Sequence, residues 1–229
     1  MRKIARWVNN ELLRRLGVRV VTTDHQRYTK TYGSLLLYFE KLMDQVNDVD
    51  GVVVECGVST GASMTLFATL NANRDAPRDI WGFDSFEGLP APDGEDLTGS
   101  AAAGRRGMFK ATTGDVWNRL RIAGMGDDST KDRITLVQGL LSDTLPSFKG
   151  QIALLHCDVD LYEPTKIALE YLWPQVGVGG IAAFDEYDDD EWPGEKQAVD
   201  EYFADALEDG SVEFRYDRWA KRTYAVKLK

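Results

Sequence analysis

Residues 51–61, GVVVECGVSTG, decide the fold. Val52–Cys56 is a short valine-rich run with glycine on both sides, which is how a strand buried on both faces of a parallel sheet reads. Gly57 and Gly61 then let the main chain turn sharply into a stretch of helical spacing. Working outward, similar apolar runs recur at Ile80–Phe83, Ile134–Val137, Ile152–Cys157 and Ile181–Phe184. Helices are expected at 30–47, near 62–73, 114–124 and 163–175, and at 195–208. This alternation predicts an α/β fold with a mainly parallel sheet and helices on both faces. Val212–Tyr216 and Tyr224–Leu228, separated by a short polar segment, predict an antiparallel hairpin at the sheet edge, making the sheet seven-stranded.

The chain has 229 residues, with 27 Lys plus Arg against 37 Asp plus Glu and a net charge of −10. A field of that sign repels polyanions, so a nucleic-acid partner is not expected. Hydrophobic residues make up 43%, enough for a core, and neither a repeat nor a break in composition marks a second domain, so residues 1–229 read as one. Cys56 and Cys157 lie in apolar runs and read as buried thiols, which points to a reducing, cytoplasmic setting. The start, MRKIARWVNNELLRRLGVRVV, carries Ile4, Val8, Leu12 and Leu16 at helical spacing among six basic residues. It lacks the ~20 apolar residues of a membrane span and the apolar block of a signal peptide. A helix packed on its own domain or on a second subunit, hence a homo-oligomer, is the preferred reading, and a membrane-surface helix is the alternative. Residues 91–110, polar and rich in Gly and Ala, read as a lid.

The turn from Glu55 to Gly61 would present main-chain N–H groups at a helix N-terminus. It lacks the three glycines of the dinucleotide fingerprint, and the chain has no phosphate-loop Gly-Lys-Ser/Thr, which counts against NAD and nucleoside triphosphates. Glu55 at its head suits a cationic or hydroxyl-bearing ligand. Asp84, ending the second strand within WGFDSFEGLP, is placed to accept both ribose hydroxyls of an adenosine cofactor. Its alternative role is to cap the following turn with Ser85 and Glu87. Gln138 and Gly139 end the third strand at the same rim, where open α/β sheets bind ligands. With Ser59 and Ser85 these residues make up the candidate cofactor site.

The runs GVVVECGVSTGAS, WGFDSFEGLPAPD, ITLVQGLLSDTLPSF, LLHCDVDLYEPTKIALEYLWPQVGVGGIAAFDEY and WPGEKQAVDEYF follow one another in an order and at separations that resemble the macrocin O-methyltransferase family. The resemblance covers roughly residues 28–208. It implies a class I methyltransferase, Rossmann-like fold that methylates sugar hydroxyls from S-adenosylmethionine with magnesium. It also implies that Glu55, Gly57, Gly61 and Asp84 hold the cofactor, with Gln138 and Gly139 beside the adenine. By the same resemblance Asp158, Asp185 and Glu186 would ligate the metal, although the family commonly has two aspartates where Asp185 and Glu186 stand. Residues 1–48 would be a helical cover, with His25, Tyr28 and Tyr32 near the cofactor.

The chemistry asks for such groups independently. Methyl transfer from a sulfonium is an in-line displacement, so the acceptor oxygen must be held opposite the sulfur and its proton removed. Magnesium takes hard oxygen ligands, and a sugar diol can replace two of its waters and lose a proton more readily. Asp158, beside the metal, and His156, two residues earlier on the same strand face, are the candidate bases, with Asp158 preferred. Asp160 and Tyr162 would support the metal site or the substrate pocket, Trp192-Pro193-Gly194 would wall the acceptor, and the acids at 188–191 would be solvated. Two alternatives stand beside sugar methylation. One is a metal-dependent methyltransferase for a catechol-like acceptor, and the other is a protein that keeps the cofactor pocket without chemistry.

Overall fold

The computed structural model describes residues 30–91, 94–98 and 106–229. The chain divides into two compact units, Met1–Ser34 and Leu35–Lys229. Of the first, only residues 30–34, at the start of helix α1 (Lys30–Gln45), are described. The amphipathic start, His25, Tyr28 and most of the expected cover therefore lie outside the described residues, as do 92–93 and 99–105 of the expected lid. Among the described residues no helix is long and apolar enough to cross a membrane.

The parallel strands are β1 (Val52–Cys56), β2 (Ile80–Asp84), β3 (Ile134–Gln138), β4 (Ile152–Cys157) and β5 (Val176–Phe184). The sheet is completed by the antiparallel strands β6 (Val212–Asp217) and β7 (Arg222–Lys227), in the order β3-β2-β1-β4-β5-β7-β6. Between the strands run α2 (Ala62–Asn71), α3 (Thr113–Ile122), α4 (Asp128–Lys131), α5 (Leu141–Thr144), α6 (Tyr162–Leu172) and α7 (Pro193–Glu208). The strands expected at 52–56 and 152–157 have the bounds read from their apolar runs. Strand β5 begins five residues before the expected Ile181, because Gly177, Gly179 and Gly180 interrupt the run that marks a buried strand. At Gly180 there is no room for a side chain: a Cβ would come 2.7 Å from Val176 Cγ1 and 2.8 Å from the Gly177 carbonyl oxygen. The four-residue helices α4 and α5 are too short to carry a periodic signal.

All six residues of β4 are buried, as expected of the central strand of a sheet covered on both faces. On one face Phe184, Phe203 and Trp173 pack among the helices α6 and α7, the Trp173 ring lying edge-on to Phe203 at 4.8 Å. On another stretch of core Phe39 of α1 packs against Phe67 of α2 at 4.4 Å and against the His156 ring at 5.0 Å. Cys56 and Cys157 are adjacent in register, buried and free, and burial pushes both thiols up.

Where β1 ends, the chain passes directly against the end of β4. Gly57 has φ +90°, and a Cβ built there would fall 1.6 Å from the main-chain oxygen of Asp158. Gly57→Ala should therefore cost about 3 kcal/mol or more in urea unfolding, combining left-handed strain with a backbone clash. Gly124, at φ +84° in open space, supplies the control: its alanine variant meets only the strain and should lose about 1 kcal/mol. Equal losses at the two positions would refute this account.

Candidate functional site

The parallel register continues one residue beyond the strands. Gly57 donates its N–H to Phe83 O, Gly139 to Asp84 O, Asp158 to Cys56 O and Asp185 to Cys157 O, at 2.9 to 3.0 Å. These four bonds hold the first loop residue after β1, β3, β4 and β5 in one row along the carboxyl rim. A cavity of about 480 Å³ opens over that row. Of the expected site residues, Gly57, Ser59, Asp84, Ser85, Gly139, Asp158 and Glu186 line it. Glu55, Gly61, Gln138, His156 and Asp185 do not.

Asp84 organises the cofactor side. Its Oδ2 accepts the Ser59 N–H and its Oδ1 accepts the Phe86 N–H, both at 2.6 Å, so one carboxylate ties the glycine turn to the loop after β2. Each oxygen keeps a lone pair for a further donor. Both expected roles of Asp84, as turn cap and as a site acid, are therefore geometrically compatible. Gly61, at φ +79°, lets the start of α2 approach α3, where a Cβ would come 2.8 Å from Val116 Cγ1. Arg119 of α3 reaches Thr60 Oγ1 at 3.2 Å from the other side.

Glu55 lies beneath the cavity, fully buried, with Oε1 3.3 Å from His156 Nδ1. His156 Nε2 is 3.9 Å from Asp185 Oδ1, and Phe39 and Phe67 pack edge-on against the ring. Burial alone would lower this imidazole, but Asp185 and Glu55 outweigh it and raise it to about 10. With Glu55 at Nδ1 and Asp185 beyond Nε2, the surroundings favour the protonated form of the ring.

The acids concentrate on the other side of the rim. One carboxylate oxygen each from Asp158, Asp160 and Glu186 lie within 4.8 Å of one another. Burial, then repulsion by Asp185 and Asp84, pushes the Asp160 carboxyl up to about 7. Glu186 is pushed up to about 8 by burial and by Asp185. Asp160 holds φ +64°, a left-handed conformation that aspartate tolerates better than most residues. Asp185 lies outside this trio: Arg222 donates to its Oδ1 and Oδ2, each at 2.9 Å. Burial would raise Asp185, yet His156 and Arg222 hold it well below the usual carboxylate range. Glu195, fully buried in the first turn of α7, accepts the Glu186 N–H at 3.2 Å.

Arg222 and Glu195 escaped the sequence reading. Arg222 sits in a strand that carries no motif, and Glu195 looks like any acid in a helix's first turn. Asp188 accepts from Thr223 at 2.8 Å, while Asp189, Asp190 and Glu191 are exposed. Tyr162 Oη donates to Glu201 at 2.7 Å. Trp192 is buried, with its ring 6.4 Å from that of the cavity-lining Phe109.

The described part of the expected lid, the 3-10 turn Gly94–Thr98, is anchored beside these acids. Asp96 Oδ1 accepts the Tyr162 N–H at 2.9 Å, capping α6 from 66 residues away where Leu161, at the N-cap, contributes no side-chain bond. Gly194, at the start of α7, leaves room for that carboxylate, since a Cβ there would fall 1.8 Å from Asp96 Oδ1.

Residues 18–208 match the macrocin-O-methyltransferase (TylF) family. The chain is 35% identical over 163 residues to demethyldecarbamoylnovobiocin O-methyltransferase of Streptomyces niveus, covering 69% of this chain and 60% of that protein. It is 34% identical over 148 residues to 8-demethyl-8-(2,3-dimethoxy-alpha-L-rhamnosyl)-tetracenomycin-C 4'-O-methyltransferase of Streptomyces olivaceus, covering 61% and 54% respectively. The matches thus span less than two thirds of these curated relatives' own lengths. The crystal structure of the calicheamicin methyltransferase CalS11 superposes with a TM-score of 0.72 at 29% identity, covering 99% of this chain and 90% of that one.

The Asp96 anchor makes a direct prediction. Asp96→Ala should lose about 1 kcal/mol of stability, the value of a helix cap, and should speed proteolytic cleavage within 94–98. Gly194→Ala should reproduce the faster cleavage by displacing the same carboxylate. Cleavage rates equal to the parent in both variants would show that Asp96 does not hold the turn.

Proposed function

Because the chain belongs to the macrocin O-methyltransferase family, we propose that it transfers a methyl group from S-adenosylmethionine to a hydroxyl of a sugar or glycoside, assisted by a divalent cation such as magnesium. The observation that carries this reading is the meeting of two chemically different halves over one cavity: the glycine turn tied to Asp84, and the carboxylates of Asp158, Asp160 and Glu186. The names of the relatives support the acceptor class, since one is named for a rhamnosyl-bearing tetracenomycin.

The residues fit both absent groups. Gly57 lets the chain pass close to the rim without a side chain, Asp84 has lone pairs left for ribose hydroxyls, and Gly139, bonded to Asp84 O, lines the same cavity where the adenine would lie. Asp158 and Glu186, whose oxygens lie within 4.8 Å of each other, offer hard oxygen donors whose mutual repulsion a divalent cation would relieve. When bound, S-adenosylmethionine supplies an electrophilic methyl and the cation supplies Lewis acidity toward the acceptor hydroxyl.

This chain's residues divide the remaining work. Asp158 and Glu186 hold the cation, with Asp185 as the third candidate ligand. An acid that holds a cation is a poor proton acceptor, because the cation stabilises its charged form. His156 is also a poor acceptor, because it is buried beneath the cavity and both of its nitrogens face carboxylates of this chain rather than the acceptor. Asp160, lining the cavity within the same cluster, therefore takes the hydroxyl proton on a carboxylate oxygen. Phe109, lining the cavity with Trp192 behind it, offers the acceptor an apolar wall.

The test is mass spectrometry of products from a panel of glycosides and catechols with S-adenosylmethionine and magnesium, paired with calorimetry of S-adenosylhomocysteine. Gain of one methyl by a glycoside is expected, whereas methylation of catechols alone would move the assignment to the catechol class. Asp160→Asn should lose about 100-fold or more in kcat while keeping cofactor affinity, the usual value of a general base. Asp84→Ala should instead lose cofactor affinity. Failure of the parent protein to bind S-adenosylhomocysteine would overturn the proposal.

A further inference from the structure

Asp185 is the first residue after the longest strand of the sheet; it borders the acid trio without being one of the three acids whose oxygens converge, and each of its oxygens accepts from Arg222. The antiparallel register between β5 and β7, with Ala183 opposite Tyr224, brings Arg222 opposite Asp185. Arg222 Nε donates to Oδ1 and its terminal nitrogen to Oδ2, both at 2.9 Å, a bidentate fork on a planar acid. The pair is partly buried, with side-chain exposures of 18% for Asp185 and 20% for Arg222. Bidentate geometry in such surroundings makes it far stronger than a surface ion pair. His156 Nε2, at 3.9 Å from Oδ1, closes the other side.

The surrounding charge gives this fork a purpose beyond holding two strands together. Asp158, Asp160, Asp185, Glu186 and the buried Glu195 crowd one corner of the rim, and the Arg222 guanidinium is set against them. A divalent cation entering the trio would offer Asp185 a second partner of the same sign as Arg222. Both cannot hold the same two oxygens at full strength.

We infer that Arg222 is a positioning residue that competes with the divalent cation for Asp185, keeping this carboxylate out of the cluster until the cation draws it in. This rests on the cation reading proposed above. The guanidinium stabilises the acids while no cation is present, and the energy of its fork subtracts from cation affinity. Cation binding then carries a local rearrangement at the β5–β7 edge, where Asp185 exchanges one cationic partner for another.

The experiment is a double-mutant cycle read by Mn²⁺ binding, using electron paramagnetic resonance of free Mn²⁺ with the full-length protein and no substrate. Arg222→Gln should bind Mn²⁺ about tenfold tighter than the parent, the order of one charge-assisted hydrogen bond. In an Asp185→Asn background the same substitution should change affinity by less than about twofold, because the competed group is gone. Arg222→Lys, which keeps the charge but not the fork, should give a smaller tightening, and it decides the matter if the Gln variant does not fold. Equal or weaker binding in these Arg222 variants overturns the inference, and so does a tightening that persists undiminished with Asp185→Asn, since that would be charge acting at a distance. In those cases the cation site stands, because the parent still binds Mn²⁺. Absence of Mn²⁺ binding in the parent and in every Arg222 variant overturns both the inference and the cation reading.

Discussion

Four main-chain hydrogen bonds, from Gly57, Gly139, Asp158 and Asp185 to carbonyls at the ends of neighbouring strands, hold the site together. Parallel strands have evenly spaced, slanted ladders, so one extra bond at each end carries the register into the loops. Loop residues are ordinarily the mobile part of a fold, yet these four are placed with the precision of sheet residues. Their side chains, or the lack of one at Gly57, inherit that placement, and the cavity forms where the row is widest.

The same row imposes a steric rule. At Gly57 the backbone passes so close to Asp158 that no side chain fits, and at Gly61 the approach of α2 to α3 excludes one. The glycines thus serve the fold before they serve any ligand. Asp84 converts that geometry into a rigid turn, since its two oxygens hold N–H groups 27 residues apart in sequence, on Ser59 and Phe86. The rim is rigid on this side without any contribution from a bound molecule.

Opposite, the problem is electrostatic. Acids gathered at a partly buried rim raise one another's proton affinity, and the protein sets two basic side chains of different character beside them. His156 is packed between aromatic rings with two carboxylates facing its nitrogens, which makes its role structural. Arg222 grips a single acid through its fork. Asp160, Asp158 and Glu186 are left facing the cavity, so the unbalanced negative charge is confined to the place where chemistry is proposed.

Much of this was legible in the residues. Valine-rich runs closed by glycine mark buried parallel strands, because only continuous apolar character survives burial on both faces, and the turn at 57–61 and the acid at Asp84 follow from strand ends. The apolar run shows only the end of strand β5, because its glycines break the run, and the crowding they relieve comes partly from Gln151, which precedes a neighbouring strand and leaves no mark on the local pattern. His156 and Asp158 share a strand-face spacing, yet one lies under the cavity and the other lines it, since Asp158 stands beyond the last strand residue. The sequence by itself determined the α/β alternation, the rim and the identity of its acids, because these depend on periodicity and on positions at strand ends. Tertiary structure alone decided which acids meet, since Arg222, Glu195 and Asp96 reach their partners across 37, 9 and 66 residues, and spacing carries no information about charges that meet only once the sheet has closed.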